Sequence, residues 1–154
     1  MKTWLAGSIF LVLGLLQTAQ AALVKKDVEY NLAGRPYVGY LVYDDASKDA
    51  RPGLLVVHNW MGVTDETKSK ADQLAALGYV AFAADVYGKG IRPKNPDEAG
   101  KLAGTFKKDR TMLRAHLQEG LATLLKQPQV DKKKVAALGY CFGGTSVIEV
   151  MRAR

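Results

Sequence analysis

The single cysteine of this 154-residue chain stands in the run Gly139-Tyr140-Cys141-Phe142-Gly143-Gly144. Apolar residues suited to a strand precede the run, and a segment able to start a helix follows it. The spacing is that of a G-x-nucleophile-x-G elbow with Cys141 in the nucleophile position. Chemistry explains the glycines. A nucleophile on a tight strand-to-helix turn is presented at the strand end, and side chains two residues to either side would crowd that turn. A thiol at a helix N-terminus meets the positive end of the helix dipole, which favours the thiolate. The N–H of Phe142 is then placed to stabilise an oxyanion. A buried, inert cysteine at a glycine-rich turn fits the same spacing.

A second cluster, His58-Asn59-Trp60-Met61-Gly62, follows the apolar run Leu54-Leu55-Val56-Val57. A loop at that strand end can donate a second oxyanion N–H, and Trp60 is the candidate donor. Asn59 and His58 are candidate substrate contacts, although a histidine here more simply shapes the loop. His116 lies between Leu113 and Leu117 in a helical pattern, which suits packing better than catalysis. Lys89, Arg92 and Lys101 read as solvated charge, and Asp85 as a residue shaping a strand end. Two separated histidines and one cysteine lack metal-ligand spacing. With no Gly-Lys-Ser/Thr loop for phosphate, no cofactor is expected.

These residues need a scaffold. Val24–Tyr30 and Tyr37–Tyr43 are rich in β-formers around a turn at Asn31–Pro36, predicting an antiparallel hairpin. The run Leu54–Val57 suits a strand buried on both faces. Capping and apolar spacing predict a helix over Asp65–Leu77, closed by Gly78. Tyr79–Ala84 reads as a strand ending at Asp85, and Gly88–Pro96 as a loop. Helical segments follow from Pro96 and over Met112–Leu125, then a buried strand at Val135–Leu138 and a helix from Gly143. Strands alternating with helices imply parallel connections with right-handed crossovers. The expectation is one α/β domain over residues 22–154, with a mostly parallel sheet and an antiparallel hairpin at its edge.

Hydrophobic content of 48% and charged content of 24% suit a globular domain. Residues 1–21 differ: Lys2 precedes the uncharged apolar run Trp4–Leu16, and Ala19-Gln20-Ala21 has the small residues of a signal-peptidase site. The run is shorter than the roughly 20 residues of a membrane-spanning helix. A cleaved signal peptide, a periplasmic or secreted mature chain, and no stable membrane association after cleavage are expected. A net charge of +7 raises the question of nucleic acid, but the densest basic run, Lys132-Lys133-Lys134, has no recognition module around it. No nucleic-acid partner is expected, and the lysines read as a solvated turn. One cysteine allows no internal disulfide, and no Cys-x-x-Cys pair supports redox exchange.

Together, Val56–Val63, Gly78–Gly88 with its Asp85-Val86-Tyr87 strand end, and Gly139–Gly144 resemble the dienelactone hydrolase family of α/β-hydrolases, from about Val24 to Arg154. The resemblance implies Cys141 as nucleophile, with Phe142 and Trp60 as oxyanion donors. It also implies a small-molecule ester or lactone as substrate. Two features depart from the family pattern. Its oxyanion-loop glutamate is matched by Asn59, whose amide cannot take up a thiol proton. Its catalytic aspartate and histidine belong to loops after the elbow helix, beyond Arg154. The expected function is therefore ester or lactone hydrolysis through a cysteine, with a non-catalytic fragment retaining the elbow as the alternative. Because the sheet of this fold continues past the elbow, the elbow strand is expected to lack neighbours on one side.

Overall fold

The computed structural model describes residues 22–46 and 48–152. The expected signal peptide, residues 1–21, lies outside them. Strands β1 (Leu23–Leu32), β2 (Arg35–Asp44), β3 (Arg51–Val57), β4 (Val80–Ala84) and β5 (Val130–Gly139) alternate with helices from β3 onward. The helices are α1 (Asp65–Ala76), α2 (Pro96–Lys108), α3 (Arg110–Leu125) and α4 (Phe142–Met151). One sheet has the order β1-β2-β4-β3-β5. Its first two strands form the expected antiparallel hairpin, β2 runs antiparallel to β4, and β3 is parallel to both β4 and β5. The C-terminal ends of β3, β4 and β5 therefore lie along the same edge of the sheet as the start of β2 and the hairpin turn.

Alternation along the strands builds two cores. Leu54, Val56, Ala81 and Ala83 face Ala71 and Ala75 of α1. Leu55, Val57, Phe82 and Ala84 point to the other face, where α2, α3 and α4 supply Phe106, Leu117 and Phe142. With β3 and β4 covered on both sides, their continuous apolar sequence follows directly from burial. The hairpin turn is tighter than the six-residue span expected from Asn31–Pro36. Register continues to the pair Leu32 and Arg35, leaving Ala33 and Gly34 as a two-residue turn, both at positive φ.

Two helices are fixed by capping side chains. Asn95 accepts from the Glu98 N–H at 2.9 Å, with Pro96 at the first helical position. Asp109 caps α3 by accepting from Met112 N–H at 2.8 Å.

Val135–Leu138 is not a buried strand: Ala136 is exposed and its neighbours half-exposed, because β5 pairs only with β3 among the described residues. The strand also begins earlier, at Val130. Between the pairs Pro52–Asp131 and Gly53–Val135 the register shifts, and Lys132, Lys133 and Lys134 bulge into solvent. The lysine run thus sits in an irregular stretch of strand.

Candidate active site

The elbow is a strained turn. Cys141 has φ +54° and ψ −110°, a conformation that costs a residue with a Cβ on the order of 1–3 kcal/mol. Hydrogen bonds from Gly143 N–H to Tyr140 O (2.9 Å) and from Gly144 N–H to Cys141 O (3.0 Å) hold it closed. The flanking glycines are forced by backbone contacts. A Cβ on Gly139 would fall 2.1 Å from Gly143 O. One on Gly143 would fall 2.3 Å from Val57 O and 2.7 Å from His58 O. The start of α4 is thus pressed against the end of β3, and Cys141 itself is exposed. Phe142 opens α4, so its N–H has no intrahelical acceptor and remains available.

The loop after β3 is braced from within. Asn59 Oδ1 accepts from Met61 N–H at 2.8 Å, and its amide donates to Glu66 Oε2 at 3.2 Å. His58 is fully buried. Its Nε2 accepts from Val86 N–H at 3.2 Å, so its Nδ1 carries the hydrogen and donates to Asn59 O. Burial outweighs these partners and lowers the His58 pKa to about 4, leaving the ring neutral. A histidine with both nitrogens committed and no exposed surface cannot accept the thiol proton or reach a substrate without the loop opening. Of the two readings of His58, the geometry supports the one in which it shapes the loop. Asn59 is half-buried, with both ends of its amide engaged.

Tyr87 was not singled out by sequence. Its hydroxyl donates to Trp60 O at 3.1 Å, and its ring packs edge-on to His58 at 4.7 Å and against Phe142 at 5.7 Å. Burial, with the neighbouring Cys141 charge as a second cause, raises the Tyr87 pKa and keeps the phenol a donor. Trp60 is 39% exposed. The Asp85-Val86-Tyr87 run carried the signal for Tyr87, but its distance in sequence from Phe142 hid the contact.

Asp85 is fully buried and structural: its carboxylate accepts from the N–H groups of Val38, Tyr87 and Gly88 and from Arg92. Arg92 is thereby committed to the protein, and Lys89 pairs with Glu29 at 2.5 Å. His116 is half-buried on α3, its Nδ1 donating to Val86 O at 2.8 Å. Among the described residues no group of three or more His, Cys, Asp or Glu side chains could hold a metal ion.

A mixed sheet whose central parallel strands β3 and β4 are covered on both faces, entered by an antiparallel hairpin and carrying a strained Gly-x-Cys-x-Gly turn between strand and helix, defines an α/β-hydrolase fold. The model of the dienelactone hydrolase family matches residues 38–154, and the chain belongs to that family. It is 34% identical over 122 residues to Protein usf of Aquifex pyrophilus, a match covering 77% of this chain and 51% of that protein. Among solved structures it is similar to m3DLH, with TM-score 0.82 and 33% identity. It is also similar to a dienelactone hydrolase-like promiscuous phosphotriesterase from metagenomic libraries, with TM-score 0.81 and 32% identity. Each of these two matches covers 86% of this chain and 55% of the other. The chain therefore spans about half the length of the relatives it matches.

Proposed function

We propose that the chain carries the nucleophile half of a hydrolase that cleaves ester or lactone bonds through Cys141. The observation supporting this most strongly is the exposed thiol on a left-handed turn whose flanking glycines are required by backbone contact. A merely structural cysteine gains nothing from that strain. In the proposed reaction the thiolate attacks the carbonyl carbon, and the N–H groups of Phe142 and Trp60 stabilise the oxyanion. Collapse expels an alkoxide, which takes a proton from solvent. Water then attacks the thioester, releasing the acid and restoring the thiol. Tyr87 supports Trp60 by holding its carbonyl, which fixes the plane of the loop.

The second reading, a non-catalytic chain that keeps the elbow, is favoured by His58: the histidine next to the oxyanion loop is engaged at both nitrogens and neutral. Such a chain would acylate without turning over. Mixing the protein and its Cys141→Ala variant with p-nitrophenyl acetate separates the two. Sustained release of nitrophenol that Cys141→Ala abolishes supports hydrolysis. A single equivalent followed by a stable thioester, seen as a mass increment on Cys141, supports the second reading. Equal slow release from both proteins overturns the nucleophile assignment.

A further inference from the structure

A cavity of about 440 Å³ opens beside the hairpin turn, between that turn, α2 and α3. It lies at the sheet edge where β4 ends, the side on which open α/β sheets receive ligands. Its volume suits a small organic molecule. Leu32, Ile91, Leu102, Phe106 and Met112 make most of its wall apolar, and Tyr87 also lines it whereas Cys141 does not.

Arg35, Tyr37 and His116 are among the residues that line the cavity. Arg35 is exposed at the turn, with no ion-pair partner among the described residues, and its charge acts on both Tyr37 and His116, as does the opposite charge of Asp85, which Arg92 pairs. Tyr37 is 3% exposed overall and lines the cavity, and its hydroxyl, without a hydrogen-bond partner among the described residues, is not sealed from solvent. His116 sits edge-on to the Tyr37 ring at 5.2 Å. Because its Nδ1 must carry the hydrogen given to Val86 O, its Nε2 is an acceptor. No carboxylate lines the cavity. A cation, a phenol donor and an imidazole acceptor around an apolar wall complement an anion that also carries a hydroxyl.

We propose that this cavity is a binding site for a small apolar carboxylate bearing a hydroxyl group, separate from the Cys141 thiol. Arg35 pairs with the carboxylate, Tyr37 donates to it, and His116 Nε2 accepts from the ligand hydroxyl. The proposal does not depend on Cys141 being a nucleophile, and its test reads binding rather than turnover.

Isothermal titration calorimetry with 4-hydroxyphenylacetate, phenylacetate and tyramine provides that test. The hydroxylated acid is expected to bind best, phenylacetate more weakly, and the cation tyramine not measurably. Arg35→Met, at an exposed turn position, is expected to weaken the acid at least about tenfold, and Tyr37→Phe roughly three- to tenfold. Cys141→Ser is expected to leave binding unchanged. Absence of binding at millimolar ligand, equal binding of tyramine, or an unaltered Arg35→Met affinity would each overturn the proposal. Loss of binding in Cys141→Ser would do so too, by moving the ligand to the thiol.

Discussion

At Gly143 the chain has no freedom left. A methyl group there meets two backbone carbonyl oxygens, from Val57 and His58, closer than any real Cβ contact, and neither can rotate away. Gly143→Ala should therefore separate the start of α4 from the end of β3, destabilising the fold by about 1–3 kcal/mol as other overpacked sites do. The same shift displaces the Phe142 N–H, so acylation of Cys141 should fall with stability. Urea unfolding alongside the rate of nitrophenol release from p-nitrophenyl acetate checks both. Gly144 is the control, since a Cβ there meets nothing nearer than Gly139 O at 3.5 Å. A Gly144→Ala variant as damaged as Gly143→Ala would remove the steric explanation. Residue identity at the elbow was legible because its cause is local. His58 was only half legible: its type and position were plain, but Val86, 28 residues away, decides which nitrogen carries the hydrogen.

Among the elements, α2 depends on its first turn. Asn95 accepts from Glu98 N–H, while the Glu98 side chain returns to Asn95 Nδ2 at 3.0 Å and Lys94 N–H at 2.9 Å. Asp97 and Glu98 add acidic charge at the positive helix end. Asn95→Ala should cost about 1 kcal/mol, measured as a lower urea midpoint with an unchanged slope. A change below about 0.3 kcal/mol would show that packing of Ala99, Ala103 and Phe106 alone holds the helix. Helix α1 and both strands of the hairpin were also readable, from apolar spacing and from runs of β-formers, although Thr64 makes no side-chain cap hydrogen bond to α1. For β5 two readings disagreed: the resemblance implied an open side, which is what the described residues show, whereas the apolar run implied burial. Its apolar run resembles that of β3, but burial of a strand depends on what lies beside it, and Ala136 has no strand on its outer side among the described residues.

For the whole molecule, burial of its histidines sets a pH dependence. His58 is held at about pKa 4 and His116 below its ordinary value, both chiefly by burial. The unfolded chain takes up these protons near pH 6.5, whereas folded His58 stays neutral until about pH 4. Stability is thus full above pH 6.5 and drawn down between 6.5 and 4, by roughly 3 kcal/mol for His58 alone. Glu149, ion-paired with Arg110, Arg114 and Arg152, has a lowered pKa and adds a further loss only below the ordinary carboxylate range. Urea midpoints at pH 8, 6 and 4.5 should fall in that order. Equal midpoints would show that His58 is protonated in the folded state.

The sequence alone determined the order of strands and helices, the elbow at Cys141 and the family it resembles, because each rests on spacing within a few residues. Tertiary structure decided what lies across the sheet. It brought Tyr87 to Trp60 and Phe142, closed His58 away from solvent, turned the lysine run into a bulge and placed Arg35, Tyr37 and His116 around one cavity. Those outcomes depend on the β2-β4-β3-β5 strand order and on α3 crossing behind the hairpin, and on contacts between residues dozens of positions apart. No local pattern encodes them, since the distance between two side chains far apart in sequence is fixed only when the intervening chain has packed.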